Sequence, residues 1–294
     1  MKPAPFAYYA PATLDEALRL LGEHGDDAKP LAGGQSLVPA MNFRLAQPRV
    51  LVDLNGVPGL DGIAVGAEGD LRIGAMTRQR AIERSAEVRE RAPLLAETMP
   101  HVAHLQIRNR GTLGGSLAHA DPSAELPAVM VALDASVRCR SPEGERWVPA
   151  RDFFLGLFAT ALAPGELIVE IAIPKRPGRT GFAFEEMARR HGDYALAGVA
   201  AAVELDAAGG CRSARVVLFG VGEGPVVAGR TSSALAGARP TPELLTDAAA
   251  AVEQDIDPPG DIHASADYRR HLARVLVRRA LERAVARATG GDAS

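Results

Sequence analysis

Two short segments constrain this chain more than anything else in it. They are Leu31-Ala32-Gly33-Gly34-Gln35-Ser36-Leu37-Val38 and, further along, Gly111-Thr112-Leu113-Gly114-Gly115-Ser116. Each sets a glycine pair beside a hydroxyl residue, next to a strand-like or irregular run. Glycine permits tight turns and lets a ligand lie close against the main chain. Backbone N–H groups that converge there, with Ser and Thr hydroxyls, form a phosphate site that needs no cationic side chain. Two such segments suit a pyrophosphate, whereas a tight turn explains either one alone. The better-known phosphate motifs are absent. A P-loop needs lysine after its last glycine, but Gln35 follows Gly34. The run Gly220-Val221-Gly222-Glu223-Gly224-Pro225 puts proline where a dinucleotide fingerprint ends in glycine, and reads as a turn after a strand.

The rest of the pattern alternates short helices and strands. Thr13-Leu14-Asp15-Glu16 is a capping box, and Leu14, Ala17, Leu18 and Leu21 follow on one helical face until Gly22 and Gly25 end it. A short strand at 28–31 and a buried one at 50–54 complete a small α/β unit over residues 1–55. In 56–176 we expect a strand at 71–74, a helical stretch over 78–98 broken near Pro93, and a glycine-rich loop at 111–116. A hairpin over 136–148 and a strand at 167–173 follow. The breaker-rich run Lys175-Arg176-Pro177-Gly178-Arg179 marks a domain boundary. The second domain, 177–289, has strands at 181–187, 197–205 and 214–219, helices near 241–254 and 266–288, and a tail at 290–294. The fold class is α+β: a two-part N-terminal domain, then a C-terminal domain with a small antiparallel sheet and helices.

Composition excludes several functions. With 33 Lys+Arg against 36 Asp+Glu in 294 residues, the net charge of −3 offers no footprint for nucleic acid or anionic membrane. The last helix is rich in arginine, from Arg269 to Arg287, but Leu272, Val275, Leu276, Ala280 and Val285 give it an apolar face. It reads as a packed helix with a solvated basic side. No apolar run reaches the ~18 residues a spanning helix needs, and the N-terminus has no signal core, so a cytoplasmic protein is expected. Two cysteines, Cys139 and Cys211, rule out a disulfide framework, a Cys-rich zinc site and a protein-held iron–sulfur cluster. His101 and His104 lack a third ligand at fitting spacing and read as surface or capping residues. His119 lies beside the second glycine segment with no assigned role.

Taken together, Asp27 to Ser36, Thr112 to Ser116, Thr160-Ala161-Leu162-Ala163-Pro164-Gly165-Glu166-Leu167-Ile168 and Arg189-Arg190-His191-Gly192-Asp193-Tyr194-Ala195 resemble the FAD-binding medium subunits of molybdenum hydroxylases. This is the xanthine dehydrogenase family, and the pattern is nearest to carbon monoxide dehydrogenase medium subunits. The resemblance covers nearly the whole chain and implies an N-terminal domain of the PCMH, vanillyl-alcohol-oxidase-like type. It implies non-covalent FAD whose pyrophosphate is held by Leu31, Ala32, Gly33, Gly34, Gln35, Ser36, Leu37 and Val38 together with Thr112, Gly114, Gly115 and Ser116. Lys29 matches a family lysine at the cofactor, or is an exposed strand-edge lysine. Asp121 and Glu125 match acidic positions near the ribose or flavin ring, or cap a helix starting at Ser123. Leu162 matches an apolar residue near the flavin, or belongs to the core. Tyr194 matches a residue close to the isoalloxazine ring, or is a buried structural tyrosine.

One departure stands out: Glu185 and Glu186 occupy the strand where many relatives carry a lysine near the flavin. That bears on the flavin potential and the electron acceptor rather than on FAD binding. The resemblance further implies a small subunit with two [2Fe–2S] clusters and a large molybdenum-cofactor subunit, assembled as a dimer of heterotrimers. The alternatives are a stand-alone FAD-dependent oxidoreductase and a non-catalytic nucleotide-binding module.

Overall fold

The computed structural model describes residues 2–176 and 178–290. The chain begins with strand β1 (Ala7–Tyr9), helix α1 (Leu14–His24), β2 (Ala28–Leu31), α2 (Leu37–Asn42) and β3 (Val50–Asp53). The capping box forms: Thr13 Oγ1 accepts from the Glu16 N–H at 3.2 Å, while Glu16 Oε2 accepts from the Ala12 N–H at 2.9 Å. The three strands pair in parallel in the order β1-β3-β2, with Val52 of the central strand fully buried. This is the small α/β unit expected of 1–55, and it leaves β2 as an edge strand.

The second part contains β4 (Ile63–Val65), β5 (Leu71–Gly74), α3 (Gln79–Arg84), α4 (Ala86–Arg91), α5 (Pro93–Thr98), α6 (Leu105–Arg108), α7 (Leu113–His119) and α8 (Glu125–Ala132). The expected break at Pro93 is present, and a second one falls at Ser85, whose hydroxyl caps α4 by accepting from the Val88 N–H. After α8 come β6 (Ser136–Ser141), β7 (Gly144–Pro149), α9 (Ala150–Phe153), β8 (Phe154–Gly156), β9 (Ala159–Thr160) and β10 (Leu167–Ile173). Five of these strands form one antiparallel sheet, β4-β5-β10-β6-β7, and β8 and β9 form a separate hairpin.

The C-terminal part is an antiparallel sheet, β11 (Thr180–Ala188), β12 (Ala195–Leu205), β13 (Cys211–Phe219) and β14 (Val226–Val227), followed by α10 (Gly229–Leu235), α11 (Pro242–Ala251) and α12 (Ala266–Ala288). Strand β12 is buried on both faces. Ala200 and Ala202 join the core of the N-terminal part, whereas Val199, Ala201 and Val203 join the core beneath α10–α12. An alanine-rich strand suits this place, because helices approach closely from both sides.

Helix α12 departs from the sequence reading, since its basic side is not simply solvated. Arg269 is buried, its Nη1 donating to the carbonyls of Leu196 (2.6 Å) and Gly220 (3.0 Å) and its Nη2 to Asp261 (2.7 Å). Arg283 and Arg287 pair with Glu97 of α5 at 2.5 and 2.6 Å, tying the C-terminal helix to the N-terminal part. Both cysteines are buried and free. Among the described residues no helix is long and apolar enough to cross a membrane. None of their His, Cys, Asp or Glu side chains forms a group of three able to hold a metal ion. His101 is half-buried against Phe184 and His191, and burial, with His191 close by, holds its imidazole below the usual range.

Candidate cofactor site

The two glycine segments meet. Gly33 lies against the backbone of Arg110 and Gly111 so closely that a Cβ there would fall 2.3 Å from the Arg110 carbonyl oxygen. Asn55 reinforces the junction: its Nδ2 donates to the Ala32 carbonyl at 2.9 Å, and its Oδ1 accepts from Arg78, which also donates to the Arg110 carbonyl. The Gln79 N–H donates to the Gly111 carbonyl at 2.9 Å. Between the segments and the C-terminal part opens a cavity of about 590 Å³, within the ~300–1,000 Å³ range of small-molecule and cofactor sites.

The first segment supplies Ala32, Gly33, Gly34, Gln35, Ser36 and Leu37 to the cavity wall, and Lys29 of β2 stands beside them. Lys29 is therefore both an exposed edge-strand residue and a cavity residue. Among the described residues the N–H groups of Gly33, Gly34, Gln35 and Ser36 donate to no protein acceptor, and the Ser36 hydroxyl is unbonded. Gly34 makes this possible with φ +74°, in the left-handed region that glycine enters at no steric penalty. Successive free amides at a bend form an anion-binding concavity.

The second segment works differently from the sequence reading. It is the start of α7 rather than a loop, and its amides are occupied. Leu113, Gly114 and Gly115 donate to the Thr77 carbonyl (3.1 Å), the Ala75 carbonyl (2.8 Å) and Thr112 Oγ1 (3.1 Å), and the Ser116 N–H donates to the Thr112 carbonyl at 3.2 Å. Gly114 is a packing glycine outside the cavity wall, since a Cβ there would sit 2.6 Å from the Ala75 Cβ. Thr112, Gly115 and Ser116 do line the cavity. A Cβ on Gly115 would lie 2.7 Å from Thr112 Oγ1 and 3.5 Å from the Ala32 Cβ, filling the space between the segments. This segment thus offers close approach and a hydroxyl, not free amides.

Three carboxylates and a phenol gather toward the C-terminal part. Asp121 lines the cavity and also accepts from the Ser123 N–H at 2.9 Å, so a place in the wall and a turn-forming role coexist. The helix begins at Glu125 rather than Ser123, and Ala124 provides no side-chain cap. Glu125 is a cavity residue only 8% exposed; burial, with the Asp121 carboxylate adding to it, pushes its carboxyl up to about 7. Asp193 and Tyr194 enter the wall from the turn after β11. Tyr194 is 70% exposed, which overturns its reading as a buried structural tyrosine. Gly192 lets that turn press onto Ala103 and His104, where a Cβ would meet the Ala103 carbonyl oxygen at 2.7 Å.

Leu31, Val38 and Leu162 stand outside the wall, Leu162 half-buried against the N-terminal core. Sequence reasoning missed Gln79, Val102, Ala103 and Ile107, apolar or amide positions whose relevance comes from folding alone. It left His119 without a role, and the structure sets His119 in the wall, 5.1 Å from the Phe158 ring. Glu185 and Glu186 separate: Glu185 pairs with Arg283 on the α12 side, while Glu186 lies on the opposite face with a buried Oε2 that finds no partner.

One wall that combines free amides and a lysine with an exposed tyrosine and carboxyls fits a dinucleotide carrying a pyrophosphate and a flat polar ring. Gln79, with a buried Oε1 lacking a partner, lines the same wall. The comparisons with known proteins agree. Residues 4–176 match the FAD binding domain in molybdopterin dehydrogenase, and 182–284 match the CO dehydrogenase flavoprotein C-terminal domain. The chain is 44% identical to the 6-hydroxypseudooxynicotine dehydrogenase complex subunit alpha of Paenarthrobacter nicotinovorans, covering 98% of this chain and 97% of that protein. It is 43% identical to the carbon monoxide dehydrogenase medium chain of Afipia carboxidovorans, covering 98% and 99%. A carbon monoxide dehydrogenase structure from Hydrogenophaga pseudoflava superposes with a TM-score of 0.95 at 41% identity, covering 98% of this chain and 99% of that one. Matched along nearly its whole length in sequence and in fold, the chain belongs to the FAD-binding medium subunits of molybdenum hydroxylases.

Proposed function

We propose that this subunit passes electrons from the [2Fe–2S] clusters of a small partner subunit to an external acceptor, the substrate being oxidised on a large molybdenum-cofactor subunit. We further propose that the three assemble as a dimer of heterotrimers. The observation that carries this reading is the cavity itself, walled by both parts of the chain and lined by four free amides, Lys29 and Tyr194. When bound there, FAD supplies the redox chemistry, accepting and releasing electrons one or two at a time. The protein's own work is to hold and tune it. Gly33 to Ser36 and Lys29 hold the pyrophosphate, Gly115 and Ser116 admit it between the segments, and Asp121, Glu125 and Tyr194 face the remainder.

Leu117 is fully buried, so it cannot form part of a partner surface, and Ala118 faces the cavity. Exposed apolar side chains are instead Phe158 of the β8–β9 hairpin, which lines the cavity, its neighbours Leu155 and Leu157, and Phe43 and Leu45, which follow α2. We assign the docking of the iron–sulfur subunit to these side chains. The test is co-expression with candidate iron–sulfur and molybdenum subunits, then size-exclusion chromatography and anaerobic reduction by substrate. A complex whose flavin is reduced by substrate, beside an isolated chain whose flavin is not, is the expected result. A lone chain that reduces its own flavin with an organic substrate would establish a stand-alone oxidoreductase instead.

A further inference from the structure

Where the two parts of the chain join there is a second, smaller cavity of about 60 Å³, which shares no lining residue with the cofactor cavity. Three strands build one side of it. Thr180 of β11 stands opposite Glu204 of β12, and Glu204 opposite Ser213 of β13; two residues along, Ala202 stands opposite Arg215. Strand alternation puts all five on one sheet face, the face that carries Ala202 into the N-terminal core. Ala132, the last residue of α8, lines another side, and Arg176 enters from the connection between β10 and β11. Glu125, at the start of the same helix, lines the cofactor cavity. The two cavities therefore lie at opposite ends of α8, about 10 Å apart along its axis.

Four of the seven buried side-chain polar atoms that find no hydrogen-bond partner among the described residues belong to this cavity: Arg176 Nε and Nη2, Thr180 Oγ1 and Arg215 Nη1. Buried polar groups are nearly always satisfied, so such a concentration calls for a ligand that answers them. Guanidinium nitrogens only donate, and that ligand must therefore accept several hydrogen bonds at once. Arg215 Nη1 lies 3.2 Å from Asp134 Oδ1 without donating to it, and Arg176 has no ion-pair partner among the described residues. Glu204 is already held by Ser213, whose hydroxyl donates at 3.2 Å, and by Arg212 at 3.5 Å. Three guanidinium groups thus face two carboxylates, an excess of positive charge. Burial, then the charge of Arg215, holds Arg176 below the usual arginine range, so the two arginines oppose each other until an anion joins them. The volume is several times the ~10–15 Å³ that one water needs, enough for a small oxyanion. We propose that this cavity binds a phosphate group, bridged between Arg176 and Arg215, with the Thr180 hydroxyl donating to it and Glu204 accepting from its P–OH. Bound there, the ion ties the connection at Arg176 to the C-terminal sheet.

Calorimetric titration with inorganic phosphate tests the site, with the chain held in excess FAD so that the glycine segments are occupied. One phosphate should bind per chain with a dissociation constant of about 1 mM or tighter. Arg176→Gln and Arg215→Ala should each weaken it by about tenfold or more, as the loss of a charge-assisted hydrogen bond does, whereas Lys29→Ala should leave it unchanged. Arg176 lies outside every strand and helix, so its variant decides the matter if Arg215→Ala does not fold. Sulfate, with no proton to offer Glu204, should bind more weakly than phosphate near pH 7. Adenosine monophosphate separates two sources of the same group: binding weaker than phosphate assigns the cavity to the free ion, and tighter binding assigns it to a phosphomonoester. In phosphate-free buffer Arg176→Gln should melt no lower than the native chain, and added phosphate should raise the melting temperature of the native chain alone. A variant that melts lower at every phosphate concentration would make Arg176 a purely structural residue and overturn the site. No binding below about 10 mM, equal binding by both arginine variants, or loss of binding in Lys29→Ala instead also overturns it. Sulfate binding as tightly as phosphate overturns the part given to Glu204.

Discussion

At the scale of the residue, the glycines of the two segments do separate jobs that their identical chemistry conceals. Gly34 holds a positive φ, Gly33 and Gly114 permit backbone contact, and Gly115 keeps open the space a ligand needs. Gly115→Val should fold and lose FAD affinity by more than about tenfold, or about 1.4 kcal/mol, as read by flavin titration of apoprotein. Gly34→Val should lose affinity and also stability, by roughly 1–2 kcal/mol, because a branched side chain must adopt a left-handed conformation; denaturant unfolding measures the second effect. Full flavin occupancy in both variants would leave these glycines as turn residues only. Glu186 carries a pH prediction of a different kind. Its folded value of about 8 lies above the ordinary 4.5, so the folded state binds more protons there, and the resulting stability is lost as pH rises through about 8. Glu186→Gln should therefore gain stability relative to the native chain between about pH 6 and pH 9, by roughly 1–3 kcal/mol. Parallel melting curves across that range would refute the burial of this carboxyl.

At the scale of the element, α12 joins the two parts of the molecule. Glu97 receives both Arg283 and Arg287, and each arginine also donates to a β11 carbonyl, Phe184 at 3.0 Å and Phe182 at 2.6 Å. Removing Glu97 strands two partly buried guanidinium groups at the junction. Glu97→Ala should lower stability by roughly 1–3 kcal/mol, and should raise protease sensitivity at the 174–179 linker. Unchanged unfolding and proteolysis would make these pairs surface decoration. The helix was legible as amphipathic from Leu272, Leu276 and Ala280, all buried. Its arginines were not legible as a clamp, because their acceptors lie some 90 to 190 positions away in sequence. The second glycine segment was misjudged for a related reason. Thr112 accepts from Gly115 as an N-cap, a local signal present in the sequence but masked by two glycines that lower helix propensity.

At the scale of the whole molecule, one cavity draws on three regions: the first segment, the start of α7 and α8, and the turn after β11. The lining of this cavity predicts FAD rather than FMN, because four free amides and Lys29 in its wall call for a pyrophosphate. Heat extraction and mass spectrometry of the released cofactor check this, and FMN would sink it. Lys29→Ala should weaken FAD binding by roughly 1–3 kcal/mol, the loss of one charge-assisted hydrogen bond, without moving the flavin absorption maximum. A shifted spectrum with intact affinity would place the lysine at the ring instead.

Sequence by itself determined the parts that local chemistry governs. The capping box of α1, the glycine pairs, the alternation of strands and helices and the break at Pro93 each follow from residues within a turn or two of one another. It also brought out the two unusual glutamates. Tertiary structure decided which of them pairs with Arg283 and which keeps a buried oxygen without a partner, which amides stay free for a ligand and which are used up in α7, and that Tyr194 is exposed to the cavity. The physical reason is that burial and hydrogen-bond satisfaction depend on neighbours distant in the chain, and Glu125, Glu186 and Tyr194 acquire theirs only when the C-terminal sheet closes against α5 and α8.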